Sequence, residues 1–289
     1  MTIDVQIVNA FTEAEAGGNP AGVVLNADQL TSAQKLAIAA QVGLSETAFV
    51  SASEIADFKL DFFTPNRQIA HCGHATVGTF SYLRQAGLIQ GANSSKETID
   101  GRREIHLKGD QAYMEQLAPV YRAADHCENE ILQALGLRKS DLIPGAPLEV
   151  VNTGNNFLII PIKDAKTMAA IVPNMAKITE LSEAFDLIGF YPFTLDTGTE
   201  ERIADTRMFG PRYQIYEEAG TGMAAGPLAC YLYDVLEIKQ EDFLIRQGRF
   251  MASPSPSLIE VHLNIQNGAI ASLLAGGKGK VSQQLTIEI

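Results

Sequence analysis

The amino-acid sequence predicts an α+β protein of two similar domains, each a curved, mixed and mostly antiparallel sheet wrapped barrel-like around a central helix. Three observations predict it. The chain has 289 residues and is 46% hydrophobic, enough for two separate cores. The order of strand-like and helix-like segments in its second half repeats that of its first. Each half also holds a glycine turn feeding a helix of small residues, Cys72-Gly73-His74-Ala75-Thr76-Val77-Gly78 and Ala219-Gly220-Thr221-Gly222-Met223-Ala224-Ala225-Gly226.

Taken in order, residues 3–8 alternate as a strand, and Gly17 to Pro20 turn into the apolar run 23–25. Thr31, with Gln34 three places on, has capping-box spacing for a helix over 32–42, and Gly43 stands where a left-handed residue ends it. Strands are expected at 47–51 and 58–63, and a helix at 75–85 closed by Gly87. Strands at 104–108 and 112–117 lead to a boundary near Pro119, so that the domains are 1–118 and 119–276. The second half continues with a helix at 129–135 and strands at 149–152 and 157–162. Helices at 164–171 and 176–185 follow, then strands at 190–195 and 213–217. The glycine-rich helix start at 220–222 precedes strands at 243–246, 258–263, 269–274 and 284–289.

Composition removes several functions. With 34 acidic against 22 basic side chains the net charge is −12, which disfavours nucleic acid and anionic membrane as partners. No window approaches the ~18 uninterrupted apolar residues of a membrane helix. The opening MTIDVQIVNAF lacks the pattern of a secretory signal, and the cysteines, Cys72, Cys127 and Cys230, form no CxxC pair. A reducing, cytoplasmic setting is the expectation.

Glu46 sits between Gly43 and a strand, where lost solvation would raise its pKa toward the range useful for accepting and returning a proton. A surface cap or ion pair is the plainer alternative. His74 follows a glycine in a turn and is placed to serve as hydrogen-bond donor or second acid and base, or as a structural histidine. His71, Cys72 and His74 lack the separated pairs of zinc sites, so no metal is expected. Cys72 beside a helix start is expected to have a lowered pKa. Its counterpart in the second half is Ala219, which removes a symmetrical two-thiol mechanism. Glu217 and Glu218 approach the second turn, where one could orient the proton carrier or the substrate. Two helix starts facing a shared cleft would hold a substrate carboxylate. Gly220, Gly222 and Gly226 partly match a dinucleotide fingerprint, but two carboxylates beside them would crowd a pyrophosphate.

Phe11 and the segments Gly17 to Leu25, Gly43 to Val50, Phe62 to Thr79, Arg207 to Pro211 and Glu217 to Pro227 together resemble the PhzF-like isomerases of phenazine biosynthesis, which have the diaminopimelate-epimerase-like fold. The resemblance implies two pseudo-symmetric domains with a terminal strand, 277–289, returning to the first. It also implies a homodimer and a proton-transfer isomerisation, without cofactor or metal, of a small carboxylate in an interdomain cleft. On the same resemblance Glu46 removes a proton from carbon and returns it elsewhere on the substrate, assisted by His74 and by Glu218. Glu218 stands where the family has an aspartate, while Ala219 and Met223 replace a proline and a serine. Asn19, Cys72, Gly73, Gly220, Thr221, Gly222 and Met223 are the expected substrate contacts. Two alternatives remain open: an amino-acid racemase or epimerase assisted by Cys72, and a catalytically silent binding protein of the same fold.

Overall fold

A computed structural model describes residues 1–13 and 16–289. The chain divides into two compact units, Met1–Glu115 with Gly276–Ile289, and Gln116–Ala275. In chain order come β1 (Thr2–Ala10), β2 (Asn19–Val24), α1 (Ser32–Val42), β3 (Thr47–Ser51), β4 (Phe58–Phe63), β5 (Gln68–Ile69), α2 (Gly73–Gln85), β6 (Asn93–Thr98), β7 (Gly101–Lys108) and β8 (Gln111–Leu117). Then follow β9 (Val120–Ala123), α3 (Glu128–Leu135), β10 (Glu149–Asn152), β11 (Asn156–Pro161), α4 (Ala165–Ala169), α5 (Met175–Ala184), β12 (Gly189–Thr194) and β13 (Ala204–Thr206). The last elements are α6 (Gly222–Asp234), β14 (Asp242–Gln247), β15 (Ser257–Gln266) and β16 (Ala269–Glu288).

In the first unit the strand order is β1-β2-β3-β4-β6-β7-β8, with β16 beside β8 and also paired antiparallel with β1 from Thr2↔Glu288 to Ala10↔Gly279. The strands therefore close on themselves. Inside runs α2, apolar or small on nearly every side, with the whole stretch from His74 to Ser81 buried. At Gly279 a Cβ would stand 2.8 Å from the Ser81 Cβ and 3.1 Å from the Gly78 Cα, so strand and helix approach this closely only because Gly279 lacks one. Helix α1 covers the sheet with Ile38 and Ala39 against Val5, Val24, Phe49 and Phe63. Its capping box forms between Thr31 and Gln34, and Gly43 closes it at φ 70°.

The second unit has the order β16-β15-β14-β13-β12-β11-β10-β9. Helix α6 packs on β10, β11 and β15. The residues of α3 and α5 form a second layer, with Ile131, Leu135 and Ile178 packed against Leu158, Ile160 and Phe190. Pairing senses repeat between the units. β1/β2 is antiparallel, β2/β3 parallel across α1, β3/β4 antiparallel, β4/β6 parallel across α2 and β6/β7 antiparallel. β10/β11, β11/β12, β12/β13, β13/β14 and β14/β15 follow the same alternation, with α4, α5 and α6 as the crossovers.

Three expectations change. Residues 213–217 are not a strand: Pro211 opens a 3-10 turn over Pro211–Tyr213 and Gln214 takes φ 66°, which turns the chain out of any ladder. The strand at this place in the fold is β13, whose three residues hide a buried Asp205 paired with Arg246 (2.5 Å) and Arg249 (2.7 Å). The runs 269–274 and 284–289 are parts of one twenty-residue strand, β16, because the glycines between them sit where neighbouring backbone comes close rather than in a turn. No helix among the described residues is long and apolar enough to cross a membrane.

Candidate active site

Glu46 lies immediately before β3, its backbone carbonyl held by the Gly22 N–H at 3.0 Å. Cys72 is the N-cap of α2, Gly73 its first residue and His74 its second. This brings three of the expected residues together. His74 Nε2 is 3.4 Å from Glu46 Oε2, and His74 Nδ1 is 3.6 Å from Cys72 Sγ. The Glu46 side chain is only 12% exposed, and its Oε2 accepts no hydrogen bond among the described residues. A buried carboxylate oxygen left unsatisfied in this way has acceptor capacity to offer. Asn19, at the head of β2 and paired with Ala10, is also buried in this unit.

The thiol departs from expectation. Burial pushes the Cys72 pKa up, His74 opposing this and Glu46 adding to it. The favourable field of one helix start is the smaller effect once the sulfur is out of water. The thiol and His74 Nδ1 are in hydrogen-bond contact, and Nε2 is the ring nitrogen that faces Glu46.

Glu46, Cys72 and His74 each have one ligand-capable atom within 4.8 Å of the others. The two ring nitrogens of His74 are divided, however, one toward the carboxylate and one toward the sulfur. A single ion bonds only one of them, and a zinc site needs the thiolate. Each ring nitrogen of His74 thus has its own neighbour.

The second unit assembles its own group. Glu217 is taken up by Arg207, whose Nε and Nη2 donate to its two oxygens at 2.7 and 2.9 Å. Glu218 instead accepts from the Thr221 hydroxyl. Gly220 and Thr221 are buried, and α6 starts at Gly222. Met223 is half-buried, and the Asn155 amide donates to its sulfur at 3.6 Å. The N-cap residues of α2 and α6, Cys72 and Thr221, make no side-chain cap hydrogen bond, the condition under which a helix start can serve an anion.

Behind the second turn stands Gln247, fully buried and absent from the sequence-based candidates. Its Oε1 accepts from the Tyr191 hydroxyl (2.9 Å) and the Thr221 N–H (3.1 Å). Its Nε2 donates to the Glu218 carbonyl (2.7 Å) and Thr221 Oγ1 (3.0 Å). All four hydrogen-bonding positions of the amide are used, which fixes the turn. The partners lie between 26 and 56 residues away in sequence, so no local pattern marks it.

The family described as phenazine biosynthesis-like protein (PhzC-PhzF) matches the chain over residues 8–282. The chain belongs to this family. The PhzF-family chain is 34% identical to the uncharacterized isomerase YddE of Escherichia coli (strain K12), over 92% of both proteins. It is 27% identical to the trans-2,3-dihydro-3-hydroxyanthranilate isomerase of Pseudomonas chlororaphis, over 98% of this chain and 93% of that one. The crystal structure of a PhzF-family protein from Bacillus anthracis superimposes with a TM-score of 0.89 at 29% identity, covering all of both chains. The PhzF-family chain is thus an isomerase of small molecules with the diaminopimelate-epimerase-like fold.

Proposed function

We propose that this isomerase moves a proton within a small carboxylate substrate, without a cofactor, and that Glu46 is the group that carries it. The observation behind this reading is the buried, unsatisfied Glu46 Oε2 beside His74 Nε2. Glu46 takes a proton from a carbon next to an unsaturated or carbonyl group, and the electron pair shifts along the conjugated system. The same carboxyl then returns the proton to another carbon, or to the other face of the same one. Substrate and product are isomers, so no oxidant or co-reactant is required. His74 donates from Nε2 to the charge that develops on the substrate. In the second unit, Glu218 and the Gly220–Gly222 turn are the groups suited to a substrate carboxylate and its protons. Asn19, Thr221 and Met223 complete the contacts, and the active form is a homodimer.

Met223, whose sulfur accepts from the Asn155 amide, stands where the resemblance to the family places a serine, which favours a substrate other than that of the Pseudomonas relative. A racemase using Cys72 as base is less favoured, because the thiol is buried, protonated and turned toward His74. The test is deuterium incorporation from D₂O into a panel of small cyclic and linear carboxylates, trans-2,3-dihydro-3-hydroxyanthranilate and amino acids included. Wild type is expected to label at least one, and Glu46→Gln to lose about 10²–10⁴-fold in rate. Turnover within a factor of a few in that variant would overturn the assignment. Equal loss in Cys72→Ser would move the role toward the thiol.

A further inference from the structure

One lysine of the first unit sits where a lysine is costly to place. Lys96, in the middle of β6, has no exposed surface. No carboxylate among the described residues lies within ion-pair distance of it. Its Nζ donates to Thr76 Oγ1 at 2.7 Å and lies 3.2 Å from His71 Nδ1, with the Phe62 ring centroid 5.3 Å away. Thr76 in turn donates its hydroxyl proton to the Cys72 carbonyl at 2.6 Å, while its own N–H reaches the same oxygen at 3.2 Å. One amine therefore holds the chain on both sides of Cys72, at His71 before it and at Thr76 in the first turn of α2.

We propose that Lys96 is a positioning residue of the isomerase site, acting through Thr76 and His71 to fix the turn that sets Cys72 and His74 against Glu46. This rests on the reading of Glu46 and His74 as the proton-handling pair. The donor count supports it. With the His71 ring proton on Nε2, a neutral amine has two N–H bonds and two acceptors here, whereas the ammonium form would carry a third N–H with no hydrogen-bond acceptor. In agreement, burial brings the Lys96 pKa down to about 7. The charged and titratable groups around it leave that arrangement in place. Arg103, its cross-strand partner on β7, disfavours the charge, and Asp100 in the β6–β7 turn favours it. Cys72 favours it too, and His71 is pushed down to about 3 by its own burial, so it stays neutral as an acceptor. From β4, the strand on the other side, Phe62 faces the amine and Phe58 is its register partner. The turn that carries His74 is thus braced by a group that changes charge near neutral pH.

The test reads the site with and without substrate. In protein with ¹⁵N-labelled histidine, the His74 ring signals at pH 8 are compared in wild type, Lys96→Met, Lys96→Gln and Thr76→Val. Lys96→Met and Thr76→Val are expected to shift them, and the double variant to shift them no further than either single one. With the carboxylate that wild type labels from D₂O, Lys96→Met is expected to lower kcat about tenfold to a hundredfold with KM within a factor of two. It is also expected to remove the ionisation near pH 7 from the kcat profile. Lys96→Gln keeps two N–H donors on a shorter, uncharged arm, and is expected to recover part of kcat without that ionisation. Unmoved ring signals, with unchanged kcat and pH profile and only a changed melting temperature, would reduce Lys96 to a packing role. If Lys96→Met does not fold, Thr76→Val decides by the same criteria. The ring signals need no substrate, so shifted signals alongside a fully active Glu46→Gln would remove Glu46 from its role and leave the bracing of the turn in place.

Discussion

At the start of α2 the turn through Cys72 and His74 is gripped from behind by the Lys96 amine, whereas at the start of α6 the turn from Glu218 to Thr221 is gripped by the carboxamide of Gln247. Both are long side chains with no exposure, and both reach backbone or hydroxyl groups of a glycine turn that feeds a buried helix. The amide spends all its hydrogen-bonding capacity and cannot change charge. The amine also satisfies its donors, but only in one protonation state. A duplicated architecture has therefore solved the same positioning problem twice, with one solution indifferent to pH and one responsive to it.

The largest expected effect tests the rigid solution. Gln247→Leu leaves the Tyr191 hydroxyl, the Thr221 N–H and the Glu218 carbonyl without their buried partner, at about 1–3 kcal/mol each. A loss of roughly 3–5 kcal/mol in denaturant unfolding, independent of pH, is the expected result. A loss under 1 kcal/mol would mean that the turn is held by something else.

Lys96 gives the contrasting signature. Its pKa falls from the ordinary 10.5 to about 7 on folding, so between those values the unfolded chain binds more protons than the native one. Stability contributed at this site is therefore present above pH 10.5, falls as pH drops toward 7 and is flat below. The slope is up to about 1.4 kcal/mol per pH unit. Unfolding free energies measured from pH 7 to 9 are expected to lose this slope in Lys96→Met and to keep it in Gln247→Leu.

Smaller effects separate the two buried helices. At Gly226 in α6 a Cβ would stand 2.3 Å from Gln116 Oε1 and 2.7 Å from Leu273 Cδ1. Gln116 cannot simply move aside, because it donates to the Gly222 carbonyl and accepts from Thr153. Gly226→Ala is expected to destabilise by about 1–3 kcal/mol. At Gly78 in α2 the nearest atom is Val8 Cγ1 at 3.5 Å, an ordinary contact. Gly78→Ala is expected to be neutral or to stabilise by about 0.5–1 kcal/mol through helix propensity, as read by thermal melts.

Elements whose causes are local were legible in the sequence. Helix α1 carries its own start and stop in Thr31, Gln34 and Gly43, and β3 and β4 are apolar runs bounded by turns. The glycine turns, with Glu46 and His74, were legible for the same reason. What escaped depends on distant partners. The stretch forming β6, NSSKET, looks like a polar loop until Ser94 and Ser95 find Asp57 and Lys96 finds Thr76. Asp205 makes a three-residue strand possible only through Arg246 and Arg249. Cys72 shows a local rule overruled: a helix start lowers a thiol pKa, but the burial that raises it is a property of the whole sheet.

Strand β16 carries a consequence for how the chain comes together. Its final residues pair with the first strand, Thr2 opposite Glu288, so the sheet of the first unit stays open along β1 until residues 279–288 have been made. The second unit is one uninterrupted stretch of chain and has no such wait. On a ribosome the later-synthesised half is thus expected to reach its native form first, with the earlier half exposing a bare strand edge, open to pairing with other chains, until it is sealed.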